Sequence, residues 1–426
     1  MNDQNELDGT AAGTPMPAAR RTTALSRRGL LGGAAAGALA VGALGVAGAP
    51  AAAADGQDMP RPWPGRTQGF VRAHGSQLRL GGQPFRFAGT NNYYLHYKSH
   101  YMIDSMLNDA RQMGLLVVRA WAFLDGAAAD GVVFQPEPGT FVEDGFERLD
   151  YAVWKAGQLG LRLVLPLTNN WPDFGGMDQY VAWFGAAEHD DFYRDRKIRA
   201  AYQATVRHVV NRRNRYTGLR YTDDPTVMTW ELANEPRCRS DQSGNTLVAW
   251  ADEMSRFVKD LAPQQLVAVG DEGFFGEAGN PDYPYSNYEG VDWRRLSTLP
   301  AVDYATVHLY PDSWEGALSG PDKVAWGTKW IHDHVSLSVT LRRPVVIEEF
   351  GLKDTSPDQA VRDSAYTVWT AEVAAGGGAG DQVWILTARQ DDGTLYPDYD
   401  GFRVIYPSST AALLAAHAAV MAGHQP

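Results

Sequence analysis

The chain of 426 residues contains one cysteine, Cys238. A single thiol excludes an internal disulfide and a cysteine-based zinc site. An excess of basic charge is also missing. Lys and Arg number 38 against 50 Asp and Glu, a formal net charge of -12, which argues against nucleic acid and anionic membrane surfaces as main partners. No linker, low-complexity run or second-domain shift in composition interrupts residues 69–426. With 44% hydrophobic and 21% charged residues, the chain is of ordinary globular composition and long enough for a large core. Aromatic rings are in surplus, with 13 Trp, 19 Tyr and 15 Phe. Core packing accounts for most such rings, but Trp also suits stacking on a flat, uncharged ligand such as a sugar ring.

The N-terminus reads as an address. Residues 1–28 are polar and carry Arg20, Arg21, Arg27 and Arg28. An uncharged stretch follows over 29–49, made of 7 Gly, 8 Ala, 4 Leu and 2 Val, and small residues run to Ala54 before Asp55. This pattern predicts a twin-arginine-type signal peptide over 1–54, cleaved near Ala54, and an extracellular product. A transmembrane anchor would have nearly this length. However, Gly and Ala make the stretch weakly apolar, and no basic cluster follows it. Residues 55–68 form a short leader rich in Pro, Gly and Arg. After cleavage, a monomer with no stable membrane insertion is expected.

Short apolar runs then alternate with amphipathic ones. Strands are predicted at Phe85–Gly89, Leu115–Ala120, Leu161–Leu167, Val227–Leu232, Leu266–Gly270, Tyr304–Leu309, Val345–Glu348 and Val383–Leu386. Ile103, Met106, Leu107, Ala110 and Met113 follow helical spacing, as do Phe146, Leu149, Val153, Ala156 and Leu159. Further helices are predicted around 192–213, 245–261, 322–340, 358–374 and 408–422. Short apolar strands alternating with helices imply parallel strands buried on both faces. Eight such units predict an α/β protein with a single (β/α)8 TIM barrel over 69–426. The rival, an open doubly wound sheet, would need a Gly-rich phosphate turn after its first strand. Gly89-Thr90-Asn91-Asn92-Tyr93-Tyr94 stands there instead.

In such a barrel, chemistry gathers at the C-terminal strand ends. These carry Arg119-Ala120-Trp121, Thr168-Asn169-Asn170-Trp171, Asn234-Glu235-Pro236-Arg237, Asp271-Glu272, His308-Leu309-Tyr310, Glu348-Glu349 and Trp384. Two carboxylates from opposite sides of a ring, among Arg, Asn, His, Tyr and Trp, suit acid-catalysed cleavage of an acetal. One carboxyl gives its proton to the leaving oxygen, and the other attacks the anomeric carbon.

Trp230-Glu231-Leu232-Ala233-Asn234-Glu235-Pro236-Arg237 and Val346-Ile347-Glu348-Glu349-Phe350-Gly351 resemble the two catalytic segments of glycoside hydrolase family 5, of clan A. The finer resemblance is to its endo-β-1,4-mannanases. It extends through Gly89–Leu95, Arg119–Phe123, Asn169–Gly176 with Tyr180 and Trp183, and His308–Pro311, and so covers residues 69–420. The resemblance implies Glu235 as acid/base and Glu349 as nucleophile. Arg119 and Tyr310 would support the nucleophile's charge, His308 would tune the acid/base, and Asn234 would bind the sugar at the cleavage point. Trp384 would lie under the sugar just before the scissile bond, with Trp121 and Trp171 along the cleft. Asn169 stands where the wider family often has His, which favours mannan over cellulose. No metal or cofactor is implied. The expected activity is retaining hydrolysis within mannan, glucomannan or galactomannan. An exo-acting β-mannosidase or a β-1,4-glucanase is the alternative, and a non-catalytic sugar-binding barrel a distant one.

Other groups receive plainer readings. Alternation along a strand places Glu348 and Glu349 on opposite faces, so only one reaches the barrel mouth. Glu231 reads as a paired structural acid. Glu272 either holds an Arg or His or touches sugar. Trp154, Trp250, Trp326, Trp330 and Trp369 lie in helical patterns and read as packing. His332-Asp333-His334 reads as a solvated helix, Glu188-His189-Asp190-Asp191 as a helix start, and Cys238 as a small packing residue.

Overall fold

The computed structural model describes residues 67–354 and 359–423. The expected signal peptide, and the leader up to residue 66, lie outside the described residues.

Eight strands form the centre: β1 Phe87–Asn91, β2 Val117–Arg119, β3 Arg162–Pro166, β4 Val227–Glu231, β5 Leu266–Ala268, β6 Ala305–Leu309, β7 Val345–Phe350 and β8 Gly380–Val383. The sheet runs β5-β4-β3-β2-β1-β8-β7-β6, and every pairing is parallel. Strands β1 and β8 are therefore neighbours. The seam between β5 and β6 is bridged by backbone bonds from Asp303 to Val267 (2.8 Å) and from His308 to Glu272 (3.0 Å). The result is the expected single (β/α)8 barrel.

Each principal helix follows its strand: α1 His100–Gln112, α2 Glu147–Leu159, α3 Arg196–Val210, α4 Asn245–Leu261, α5 Trp293–Ser297, α6 Gly320–Val335, α7 Gln359–Gly376 and α8 Ser409–Met421. Local sequence explains their ends. Ser99 caps α1 by accepting from the Met102 amide, and Asp195 caps α3 by accepting from Lys197 and Ile198. Such side chains satisfy amides that have no partner inside the helix. Helix α2 stops at Gly160, where φ is 73°, a conformation that costs glycine little. The inner face of α1 buries Met102, Ile103, Met106, Leu107 and Ala110. Each large apolar side chain so buried contributes about 1.5–3 kcal/mol.

The lower barrel interior is filled by Phe87, Val117, Val164, Met228, Leu266, Tyr304 and Val346, with Val71 and Leu78 packed against them. These last two belong to an antiparallel hairpin, Val71–His74 with Gln77–Leu80, which closes the bottom. The lower interior is thus a packed core, and a cleft opens at the other end.

Three expectations need correction. Strand β8 ends at Val383, where the predicted Val383–Leu386 begins. Buried Asp381 and Gln382 hide the strand from an apolar pattern. The predicted helix over 322–340 is two helices, α6 and Ser338–Leu341, and α5 has only five residues, too few to show periodicity. His334 is fully buried, bonded to the backbone oxygens of Trp330 and Gly273, whereas His332 is solvated as expected. Trp250, Trp330 and Trp369 are buried packing residues. The Glu188–Asp191 segment does lead into a short helix, Asp191–Arg194.

Candidate active site

At the C-terminal strand ends lies an open cleft, lined by residues that include Trp121, Asn169, Trp171, Asn234, Glu235, Tyr310, Glu349 and Trp384. Eight of the ten residues singled out from the sequence therefore share one cavity. The other two, Arg119 and His308, are fully buried behind it.

Arg119, the last residue of β2, is the hub. Its Nε donates to Glu231 Oε2 (2.8 Å), its Nη2 to Glu231 Oε1 and to Asn234 Oδ1 (2.7 Å), and its Nη1 to Asn91 Oδ1 (3.2 Å) and Glu349 Oε1. Its face lies 4.9 Å from the Trp121 ring centroid. Burial opposes the charge, but Glu231, Glu348 and Glu349 outweigh it and hold the guanidinium well above its ordinary pKa. Glu231 is thus the paired structural acid that was expected.

Glu349 accepts from Arg119 and, on Oε2, from the Tyr310 hydroxyl. Glu235 accepts from the Trp171 indole Nε1 at Oε2 (2.5 Å) and shares a 2.8 Å bond between Oε1 and His308 Nδ1. Glu235 has a φ of 53°, rare for a non-glycine residue and common at functional sites. Its amide donates to the Gly270 carbonyl (2.8 Å). At Gly270, φ is 86° and an added Cβ would lie 2.0 Å from the Ala233 oxygen and 2.2 Å from Glu231 Oε1. Glycine is required there to keep the turn around Glu235.

One polar atom each of Glu235, His308 and Glu349 lies within 4.8 Å of the others. These are ligand types a cation could use. In this site, however, the carboxylate oxygens already accept from Arg119, Tyr310 and Trp171 and share a hydrogen bond with His308, which suits proton chemistry. Burial raises Glu349, reinforced by Glu235 and opposed by His308 and Arg119. Against burial, the His308 hydrogen bond and charge draw Glu235 down to about 2, and carboxylates including Glu349 raise His308. These directions favour an ionised Glu235 beside a protonated His308, and the 2.8 Å bond between them is short enough for a proton to cross.

Only one of the two acids reaches the mouth, as expected, but the opposite facing inferred from strand alternation fails at Glu348. In register with β6, Ile347 pairs Val307 and Glu349 pairs His308, so Glu348 is skipped. The same extra residue appears against β8. This bulge breaks alternation. Glu348 and Glu349 both turn toward Arg119 and His308, with Glu348 fully buried and only Glu349 on the cleft.

Glu272 pairs bidentately with Arg237 (2.6 and 2.7 Å) while also lining the cleft. Burial, reinforced by Glu235 and opposed by Arg237, pushes it to about 8. The Arg237 guanidinium lies 5.0 Å from Trp171 and 5.1 Å from Phe274, which fixes the indole facing Glu235. Asn234 donates to Asn169 Oδ1 (3.0 Å), and Trp384 to Asp400 Oδ2 (2.9 Å). Sequence reading missed Asn91, Asp400 and Phe402. Asn91 sits in a quoted segment, but Asp400 and Phe402 lie on the long loop after β8, where no periodic pattern marks them.

The family described as GH family 5 beta-mannosidase-like matches residues 68–373. A mannan endo-1,4-beta-mannosidase 2 of Oryza sativa subsp. japonica is 37% identical over 372 residues, covering 81% of this chain and 82% of its own. The structure of the endo-beta-1,4-mannanase from Thermotoga petrophila superposes with a TM-score of 0.76 at 45% identity, covering 80% and 78% of the two chains. That of the endo-1,4-beta-mannanase from Rhizomucor miehei gives 0.77 at 35% identity, covering 83% and 99%. With most of the chain matched and the carboxylate pair in place, this protein belongs to glycoside hydrolase family 5, in its β-mannosidase-like group.

Proposed function

We propose that the chain is a secreted, retaining endo-β-1,4-mannanase, hydrolysing internal bonds of mannan, glucomannan or galactomannan. The observation that carries the mechanism is the close approach of Glu235 and Glu349, whose polar atoms lie within 4.8 Å. That spacing suits direct attack by one carboxylate, because inverting enzymes separate the carboxyl groups by roughly 6.5–9.5 Å to seat a water. The mannan-directed part rests on the relatives' names and on Asn169 at the third strand end.

In the first step, Glu349 attacks the anomeric carbon while Glu235 protonates the departing oxygen. Arg119 and Tyr310 aim the attacking oxygens and favour their charge. The Glu235–His308 pair supplies the proton. Once Glu349 is esterified, its charge no longer acts on Glu235, which then takes a proton from the incoming water and returns the pair to its starting state. Asn234 presents a neutral donor and acceptor to the sugar 2-hydroxyl. The Trp384 ring, 6.1 Å from Trp121 between centroids, forms the floor of the cleft.

Glu235→Ala and Glu349→Ala are each expected to abolish hydrolysis of mannohexaose, and activity near wild type in either would remove the mechanism. A product ladder from mannohexaose beside cellohexaose tests the rest. Internal cuts of the mannan oligomer alone support the reading. Single mannose units released stepwise would favour exo action, and cleavage of cellohexaose would favour a glucanase.

Export is proposed from the sequence pattern over 1–54. Among the described residues, no helix is long and apolar enough to cross a membrane. The N-terminal mass of enzyme recovered outside the cell, with and without Arg27→Lys and Arg28→Lys, tests both route and cleavage site.

A further inference from the structure

His308 has two ring nitrogens in a fully buried position. Nδ1 meets Glu235 at 2.8 Å. Nε2 makes no hydrogen bond among the described residues, and neither does Glu348 Oε2. These two unpartnered atoms face each other at 3.8 Å, a small shift from hydrogen-bond distance. Buried polar atoms without partners are uncommon and costly, so two that point at one another call for an explanation. Glu348 also has reasons to be ionised. Tyr304 donates to its Oε1 (3.3 Å), Arg119 Nε lies 3.8 Å away, and Asn91 Nδ2 pins its backbone carbonyl (2.9 Å). The bulge in β7 puts the carboxylate there. With regular alternation it would leave the barrel.

We propose that Glu348 is a positioning residue for acid catalysis, holding a proton on His308 Nε2 so that Nδ1 keeps a lone pair for the proton of Glu235. The partner of one imidazole nitrogen sets the state of the other. With Nε2–H turned to Glu348, Nδ1 can accept from protonated Glu235 and take or return that proton. When Glu235 protonates the departing oxygen, the pair is left without its mobile proton and His308 stays neutral. Water attack on the glycosyl ester then delivers one proton back to the pair. This inference rests on the reading of Glu235 as acid/base.

The groups acting on His308 are Glu235 and Glu231 from β4 and its end, Asp271 and Glu272 after β5, and Glu348 and Glu349 from β7. Among these acids, only Glu348 meets Nε2. Removing its negative charge weakens the hold on the shared proton. The alkaline limb of kcat/KM should therefore move to lower pH in Glu348→Gln, by about one unit.

The test compares Glu348→Gln, Glu235→Ala and wild type on mannohexaose and on a dinitrophenyl β-mannobioside, whose leaving group needs no proton. Expected for Glu348→Gln is a kcat about tenfold or more lower on mannohexaose, an unchanged KM, a shifted alkaline limb, and near-normal formation of the glycosyl ester from the dinitrophenyl substrate. Wild-type kcat with an unshifted limb would overturn the proposal. If Glu235→Ala shows no preference for the activated substrate, the acid/base reading itself fails. If Glu235→Ala shows that preference and Glu348→Gln, still active on the dinitrophenyl substrate, does not, only the present inference fails. Should Glu348→Gln lose both activities, nitrogen-15 spectra of wild type decide. A proton on His308 Nε2 supports the proposal, and a proton on Nδ1 alone overturns it.

Discussion

The indole Nε1 of Trp171 donates to Glu235 Oε2 at 2.5 Å, on the oxygen opposite the one His308 holds. This donor favours the ionised carboxyl. Trp171→Phe keeps a ring in the cleft and removes the bond. Glu235 should then hold its proton to higher pH, and the alkaline limb of kcat/KM on mannohexaose should rise. That direction is opposite to the one expected for Glu348→Gln. A limb that stays put or falls in Trp171→Phe would mean that the indole does not tune Glu235.

Arg119 faces three buried carboxyl groups at once, Glu231, Glu348 and Glu349. Its removal leaves Glu231 without its bidentate partner at a position closed to water. Arg119→Ala is expected to lower the free energy of unfolding by about 3–5 kcal/mol and to abolish hydrolysis. Denaturant titration followed by fluorescence measures the first effect. A loss of activity with unchanged stability would show that the Glu231 pairing contributes little to the fold.

Helix α8 is tied to β8 by His417 Nε2 and Asp381 Oδ2, 2.6 Å apart and both buried. Burial lowers the His417 pKa, but Asp381 overrides it, against a smaller opposing effect of Arg86, so the net direction is upward. The folded pKa therefore lies above the unfolded one. The stabilisation is fully present below the unfolded value and is lost as pH rises through the folded value. The difference in unfolding free energy between wild type and His417→Leu should thus be larger near pH 5.5 than at about pH 9. A difference that grows with pH would contradict this sign.

Cys238 is buried, and burial, reinforced by Asp190, pushes its thiol up to about 12. The reactive species is the thiolate. A disulfide reagent should label none of the native enzyme at neutral pH and one thiol per chain after denaturation. Rapid native labelling would show an accessible thiolate and reopen the packing reading.

The eight-unit barrel and the polar residues gathered at its strand ends were legible because each depends on short-range pattern, whereas the roles of the ten site residues came from the family resemblance. Parallel strands buried on both faces read as apolar runs, and polar residues directly after those runs sit at one end of any such barrel. Gln359–Gly376 and Ser409–Met421 fall within two residues of the predicted helices. The reading fails where burial is polar or the element is short. Strand β8 buries the polar Asp381 and Gln382, helix α5 completes little more than one turn, and His334 turns its ring to backbone oxygens. Asp400 reaches Trp384 from a loop that no periodicity marks.

Local sequence set the order of strands and helices and the residue types at the strand ends, while the choice of Glu235 and Glu349 among the acids came from the resemblance of the Asn234-Glu235 and Glu348-Glu349 segments to the family. The tertiary structure decided what each acid touches. Only the closed barrel brings Arg119, from the second strand, against acids of the fourth and seventh. Only the bulge in β7 turns Glu348 and Glu349 to the same side, because a single extra residue undoes the two-residue period on which a strand reading depends. Proton affinity in this site is likewise a tertiary property. It is set by burial and by charges brought together from distant strands, and a local sequence carries neither.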